Sequence, residues 1–81
     1  MTQKQRDYIE SLVKKVFRSE PTRSEMLSRL SKATLTGSQA STCIHALRRE
    51  HNIYTSLPSG MFGAKNLNPL MDKFYNYMGF G

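Results

Sequence analysis

Three Thr-x-x-Gln/Glu motifs constrain the fold more than any other feature of this 81-residue sequence. They begin at Thr2, Thr22 and Thr36. In such a capping box the threonine hydroxyl accepts a hydrogen bond from the backbone N–H three residues later. The Gln or Glu there accepts in return from the threonine N–H. Three such starts within 39 residues predict three consecutive helices with short connections.

Apolar spacing sets the bounds of these helices at about residues 3–18, 22–33 and 37–51. The first ends before Pro21, because proline disfavours helical geometry in the residue before it. Asn52 is predicted as the C-cap of the third. Asn68-Pro69 and Gly79 predict a fourth, short helix at 69–78. Its predicted contributions to the core are Leu70, Phe74 and Tyr77.

The residues between the third and fourth helices are β-prone at 53–57 and 61–62, with a Pro-Ser-Gly turn between. This pattern predicts a short β-hairpin wing, and an extended loop over 53–67 is the alternative. The fold expected is therefore mainly α, in one domain over residues 1–81. It is a compact three-helix unit, helix-turn-helix-like through its second and third helices, with a wing and a short C-terminal helix.

The third helix is predicted to place its apolar stripe on the core and a small, basic face outward. Ala40, Cys43, Ile44 and Leu47 form the stripe. The face offers hydrogen-bond donors without an acid, as a helix in a nucleic-acid groove requires. Its candidate nucleic-acid-binding residues are Ser38, Ser41, His45, Arg48 and Arg49. An ordinary solvated helix face is the alternative.

Charge supports a polyanionic partner. Twelve Lys and Arg against six Asp and Glu give a net charge of +6, and such an excess on a small chain favours nucleic acid, DNA over RNA. The candidate phosphate contacts are Lys14, Lys15, Arg18, Arg23 and Arg29.

Catalysis is not expected. The acids are scattered, and Cys43 and His45, two residues apart on a helix, do not face each other. No cofactor or metal is expected, because one cysteine and two histidines do not supply a four-ligand zinc site. With no signal peptide or membrane-spanning run, we expect a cytoplasmic protein with no membrane partner.

Two segments carry a resemblance to known sequences. Residues 2–12 and 35–48 follow the patterns Thr-x-Lys-Gln-x-x-Tyr-Ile-x-x-Leu and Leu-Thr-x-x-Gln-Ala-Ser-x-x-Ile-x-x-Leu-Arg. They resemble a family of small phage and bacterial helix-loop-helix segments of unknown function. Residues 40–55 are also similar to the recognition helix and first wing strand of small phage winged-helix proteins. The resemblance implies a phage-type protein in a bacterial host. The net charge of +6 and the acid-free face of the third helix lead us to expect that it is a regulatory DNA-binding protein.

A protein partner is the alternative function. A small phage-type protein can act in host takeover by blocking a bacterial protein such as a polymerase subunit or a defence nuclease. Aromatic residues and methionine are enriched in the cores of such interfaces. The candidate partner-binding residues are Met61, Phe62, Tyr75 and Phe80.

Overall fold

The computed structural model describes residues 1–56 and 68–80 of the chain. These residues form four α-helices and no strand: α1 (Gln3–Val16), α2 (Thr22–Lys32), α3 (Gly37–Ser56) and α4 (Leu70–Tyr77). The radius of gyration is 12.4 Å, close to the ~12 Å expected for a compact chain of this length. The predicted mainly α class is therefore confirmed for this part of the chain.

Two of the three predicted capping boxes are present. The N–H of Gln5 donates to Oγ1 of Thr2 at 3.1 Å, and the N–H of Thr2 donates to Oε1 of Gln5 at 3.0 Å. Thr36 and Gln39 make the same reciprocal pair at 3.1 and 3.0 Å. These bonds satisfy donors that every helix start leaves without an intrahelical partner, and they place the starts of α1 and α3 where the sequence predicts.

The third capping box, at Thr22, is wrong. Thr22 lies inside α2, whose N-cap is Pro21 without a side-chain cap. The carboxylate of Glu20 instead accepts hydrogen bonds from the hydroxyl of Ser24 and from Nε of Arg23. The bond from Ser24 is the main cause that lowers the pKa of Glu20. A carboxylate before the first turn also complements the positive end of the helix dipole.

The end of α3 is the largest departure from the predicted elements. The helix continues to Ser56, so Asn52 is not a C-cap and residues 53–56 are not a strand. The hydroxyl of Thr55 donates to the carbonyls of His51 and Asn52, both at 3.1 Å. Helical packing of this turn thus overrides a β-propensity that depends strongly on context. The rest of the predicted wing, from residue 57, lies outside the described residues.

Helix α3 is the centre of the packing, since both α1 and α4 lie against it. Nε2 of Gln5 donates to the carbonyl of Gly37 at 3.3 Å, and the ends of both helices meet at Lys15 and Tyr54. Helices α1 and α3 therefore run parallel, and α2 crosses back along α1. The guanidinium of Arg6 donates to the carbonyl of Leu30, near the end of α2, at 2.8 Å.

The predicted helix-turn-helix pairing of α2 with α3 is not confirmed. Among the described residues, the close backbone neighbours of α3 belong to α1 and α4, and those of α2 belong to α1. This arrangement follows from the parallel orientation of α1 and α3. The chain must return from the end of α1 to the start of α3, and α2 does so alongside α1. The four helices thus form a unit organised around α3.

Helix α4 is fixed at both ends. The Asn68 side chain is buried. Its amide donates to the carbonyl of Ala46 at 2.8 Å and to the Glu50 carboxylate at 3.2 Å, and its Oδ1 accepts from the N–H of Leu70 at 3.2 Å. One side chain therefore caps α4 and ties it to α3. The helix starts one residue later than predicted, at Leu70 instead of Pro69.

The C-terminal end of α4 is closed by a Schellman motif. The N–H of Gly79 donates to the carbonyl of Asn76 at 3.1 Å, and that of Phe80 donates to Tyr75 at 2.9 Å. Gly79 has φ +92°, a conformation that favours glycine. The predicted stop at Gly79 is therefore confirmed.

The core contribution of α4 differs in part from the prediction. Phe74 is fully buried, as predicted, and stacks on Phe17 with ring centroids 6.1 Å apart. Leu70 and Tyr77 are half-buried, whereas Met71 and Met78 are buried. The whole buried cluster consists of Ile9, Leu12, Val13, Met26, Leu30, Leu35, Ala40, Cys43, Ala46, Leu47, Met71, Phe74 and Met78.

We expect Phe74→Ala to destabilise the protein by about 3–5 kcal/mol, because it leaves a cavity where the Phe74 ring contacts Phe17. The free energy of unfolding of a domain of this size is about 5 kcal/mol in total. The milder substitution Phe74→Leu should therefore retain a cooperative unfolding transition. Tyr8→Ala is the control, since that ring is 41% exposed. Chemical denaturation measures all three variants, and equal midpoints for Phe74→Leu and wild type would contradict the assignment of Phe74 to the core.

Candidate nucleic-acid interface

The outer face of α3 presents all five residues predicted for the groove. Ser38, Ser41, His45, Arg48 and Arg49 are each exposed. Because α3 extends beyond its predicted end, two further exposed residues, Asn52 and Thr55, continue the same face. From Ser38 to Thr55 the face is ~26 Å long at the helical rise per residue. We refer to these seven residues as the α3 outer face.

No acid lies on the α3 outer face. The single acid of α3 is Glu50, which is half-buried. Its carboxylate accepts a hydrogen bond from the Asn68 amide on the side of α3 that packs against α4. Within the described part of the chain the ion pairs are Arg23–Glu20 and Arg29–Glu25, so neither Arg48 nor Arg49 is engaged by a carboxylate. Both guanidinium groups are available to an external anion.

Two of the five predicted phosphate contacts lie at a cleft that meets this face. Lys14, Lys15 and Arg18 are exposed at the end of α1, and Lys15 and Arg18 line a cleft with Tyr54 and Thr55 of α3. Nε of Arg18 donates to the carbonyl of Lys15 at 3.1 Å, which positions its guanidinium beside the cleft. Thr55 is the residue that the cleft and the α3 outer face share.

The other two predicted phosphate contacts, Arg23 and Arg29, are occupied within the protein. Arg23 pairs with Glu20 at 2.9 Å. Arg29 pairs with Glu25 at 3.2 Å, donates to the carbonyl of Met78 at 3.2 Å, and lies 3.8 Å from the ring centroid of Phe80. Both are on α2, away from α3. The sequence shows the charge of these residues but not their internal partners.

Of the four residues predicted to bind a protein partner, the structure describes Tyr75 and Phe80. Tyr75 is half-buried and packs against Phe17 and Phe74. Phe80 is 43% exposed and closes edge-on against Tyr75. Met61 and Phe62 lie outside the described residues.

The described residues hold no group of three His, Cys, Asp or Glu side chains that could bind a metal ion. Cys43 is fully buried in the core. Burial raises the pKa of its thiol from 9.0 to about 11, so the thiol is protonated and unreactive at neutral pH. Within residues 1–56 and 68–80, no helix combines the length and apolar character needed to cross a membrane.

Comparison of the chain with protein-family models, curated proteins and solved structures finds no match.

Residues that extend the α3 outer face beyond its predicted set are Asn52 and Thr55. Sequence reasoning misses them because it ends the third helix near residue 51. Helical spacing continued through residue 55 would have placed Asn52 and Thr55 with Ser41, His45 and Arg48.

Stability should fall with rising pH between 9 and 11. The buried Cys43 thiol has a folded pKa of about 11 against 9.0, so the folded state holds this proton more tightly than the unfolded state. The tighter binding of this proton contributes fully to the free energy of unfolding below pH 9, and this contribution is lost as the pH rises through 11. Denaturation midpoints across this range should fall less steeply in Cys43→Ala than in wild type, and parallel curves would contradict the assignment.

Proposed function

We propose that this protein is a non-enzymatic DNA-binding protein that places the α3 outer face against a duplex groove. The observation that carries the proposal is that all seven residues of the α3 outer face are exposed and none is an acid, with Arg48 and Arg49 unengaged by carboxylates of the described residues. An α-helix is ~10–12 Å wide with its side chains, and the major groove of B-DNA is ~12 Å wide.

The small side chains of the face favour close approach. Ser38 and Ser41, one turn apart, let the first half of α3 lie near base edges or sugar. The longer Arg48 and Arg49 reach guanine edges or phosphates from the second half. His45 lies between the two groups and offers a ring nitrogen donor.

The end of α1 supplies the electrostatic part of the interface. Lys15 and Arg18 lie at the cleft that includes Thr55 of the α3 outer face, and Lys14 is exposed on the same turn of α1. Contacts to phosphates from two elements fix the orientation of a protein on the duplex without reading its sequence. The resemblance to phage segments supports a regulatory role in a bacterial cytoplasm as part of this proposal.

The alternative partner is an acidic bacterial protein, and the observation that favours it is the 43% exposure of Phe80. The guanidinium of Arg29 covers one face of that ring at 3.8 Å, and Tyr75 meets its edge. These two contacts cover part of the Phe80 ring, whereas Arg48 and Arg49 have no carboxylate partner among the described residues, and we therefore favour nucleic acid.

We expect Arg48→Ala/Arg49→Ala to weaken binding of a short DNA duplex by about tenfold. It should also reduce the slope of log affinity against log salt concentration by about 2, because the variant loses two cations that lie within reach of DNA phosphates. The matched control is Lys32→Ala/Lys73→Ala, which removes the same charge from exposed positions on α2 and α4. Fluorescence anisotropy over a salt series measures both variants.

Equal losses in the two double variants would mean that net charge, and not the α3 outer face, determines binding. Retention of wild-type affinity in Arg48→Ala/Arg49→Ala would remove this face from the interface. A stoichiometric bacterial protein that stays bound after nuclease treatment, with no duplex binding, would favour the alternative partner.

A further inference from the structure

The ends of α1 and α3 meet at an open cleft whose aromatic residue, Tyr54, has no role in the groove-binding proposal. Its volume is about 490 Å³, and it is lined by Lys15, Val16, Arg18, Ser19, Tyr54 and Thr55. This volume lies within the ~300–1,000 Å³ typical of small-ligand sites. Thr55 belongs both to the cleft and to the α3 outer face, so the two surfaces are continuous.

Two cationic side chains, Lys15 and Arg18, line the cleft. Because α1 and α3 run parallel, both of their negative dipole ends point to this side, each equivalent to about half an elementary charge, and the Glu50 carboxylate lies near Tyr54. An anion held here is therefore bound by direct contact with Lys15 and Arg18. Arg18 keeps its terminal nitrogens for a ligand, because its bond to the Lys15 carbonyl uses Nε.

Tyr54 supplies a flat apolar surface beside these cations. Its side chain is 45% exposed, and its ring pairs with no other aromatic ring of the described residues. Partial burial and the neighbouring Glu50 carboxylate raise the pKa of Tyr54 to about 12, so the phenol is neutral. An exposed ring flanked by Lys and Arg is the combination that binds unpaired bases, which stack on the ring while the cations hold the backbone.

We propose that this cleft binds one unpaired nucleotide adjoining a duplex, with the base stacked on Tyr54 and its phosphate held by Lys15 and Arg18. This inference rests on the proposed function, because the duplex on the α3 outer face delivers the strand to Thr55 and the cleft. The protein therefore recognises a junction between paired and unpaired DNA in preference to a continuous duplex.

The experiment compares a blunt duplex with the same duplex carrying a short thymidine overhang at its 5′ or 3′ end, by fluorescence anisotropy with the full chain. Wild type should bind one overhang at least about fivefold more tightly than the blunt duplex. Tyr54→Leu should lose that preference and keep blunt-duplex affinity within about twofold. Tyr54→Phe, which retains the ring, and Tyr8→Leu, which alters a similarly exposed tyrosine on α1, should both keep it.

A second variant tests the proposal independently in case Tyr54→Leu does not fold. Ser19→Glu places a carboxylate in the exposed wall of the cleft without touching the core, and it should also abolish the overhang preference. No preference in wild type, or a preference that survives both variants, would overturn the proposal. Tyr54-dependent binding of the overhang strand without blunt-duplex binding would support the cleft and refute the duplex function. No binding to any probe would refute both.

Discussion

Burial of a small-residue face on α3 is the interaction on which the rest of the structure depends. Ala40, Cys43 and Ala46 are all fully buried, and such short side chains let the backbones of neighbouring helices approach closely. Helices α1 and α4 occupy this side of α3, and larger core residues such as Leu47 and Phe74 fill the remaining space. The amide of Asn68 reaches the Ala46 carbonyl at 2.8 Å on this same side, because no large side chain intervenes.

The same constraint shapes the outer side of α3. Two helices on one side of a twenty-residue helix leave the opposite side to solvent along its whole length, so its polar and basic residues form an uninterrupted face. The four acids that precede α3 in the chain lie elsewhere: Glu25 on α2 and Glu20 just before it pair with arginines of α2, Asp7 accepts from Gln3, and Glu10 lies on α1. The excess positive charge is therefore concentrated on α3 and the end of α1.

Local signals in the sequence predict most of the helix boundaries, and they fail where tertiary contacts decide. The boxes at Thr2 and Thr36 and the glycine at Gly79 are local hydrogen-bond and backbone effects, so the sequence is sufficient for them. At the start of α2 the Thr22 motif forms no cap, and the side chains of Arg23 and Ser24 bond to Glu20, which lies outside that motif. The turn at residues 53–56 follows the packing of α3 instead of its β-propensity. Helical periodicity predicts five of the seven residues of the α3 outer face. The hydrogen bond of Arg29 to Met78 and its contact with Phe80 are predictable only when the end of α4 is known.

The most direct test of the central claim is a map of backbone amide chemical-shift changes as duplex DNA is titrated into the labelled protein. DNA binding through the α3 outer face requires the largest chemical-shift changes at Ser38, Ser41, His45, Arg48 and Arg49, with smaller changes at Lys14 and Lys15. Lys32 and Lys73, which carry the same charge on other helices, should stay unchanged. Changes confined to Tyr75 and Phe80, or spread equally over all exposed lysines and arginines, would contradict a DNA-binding face on α3.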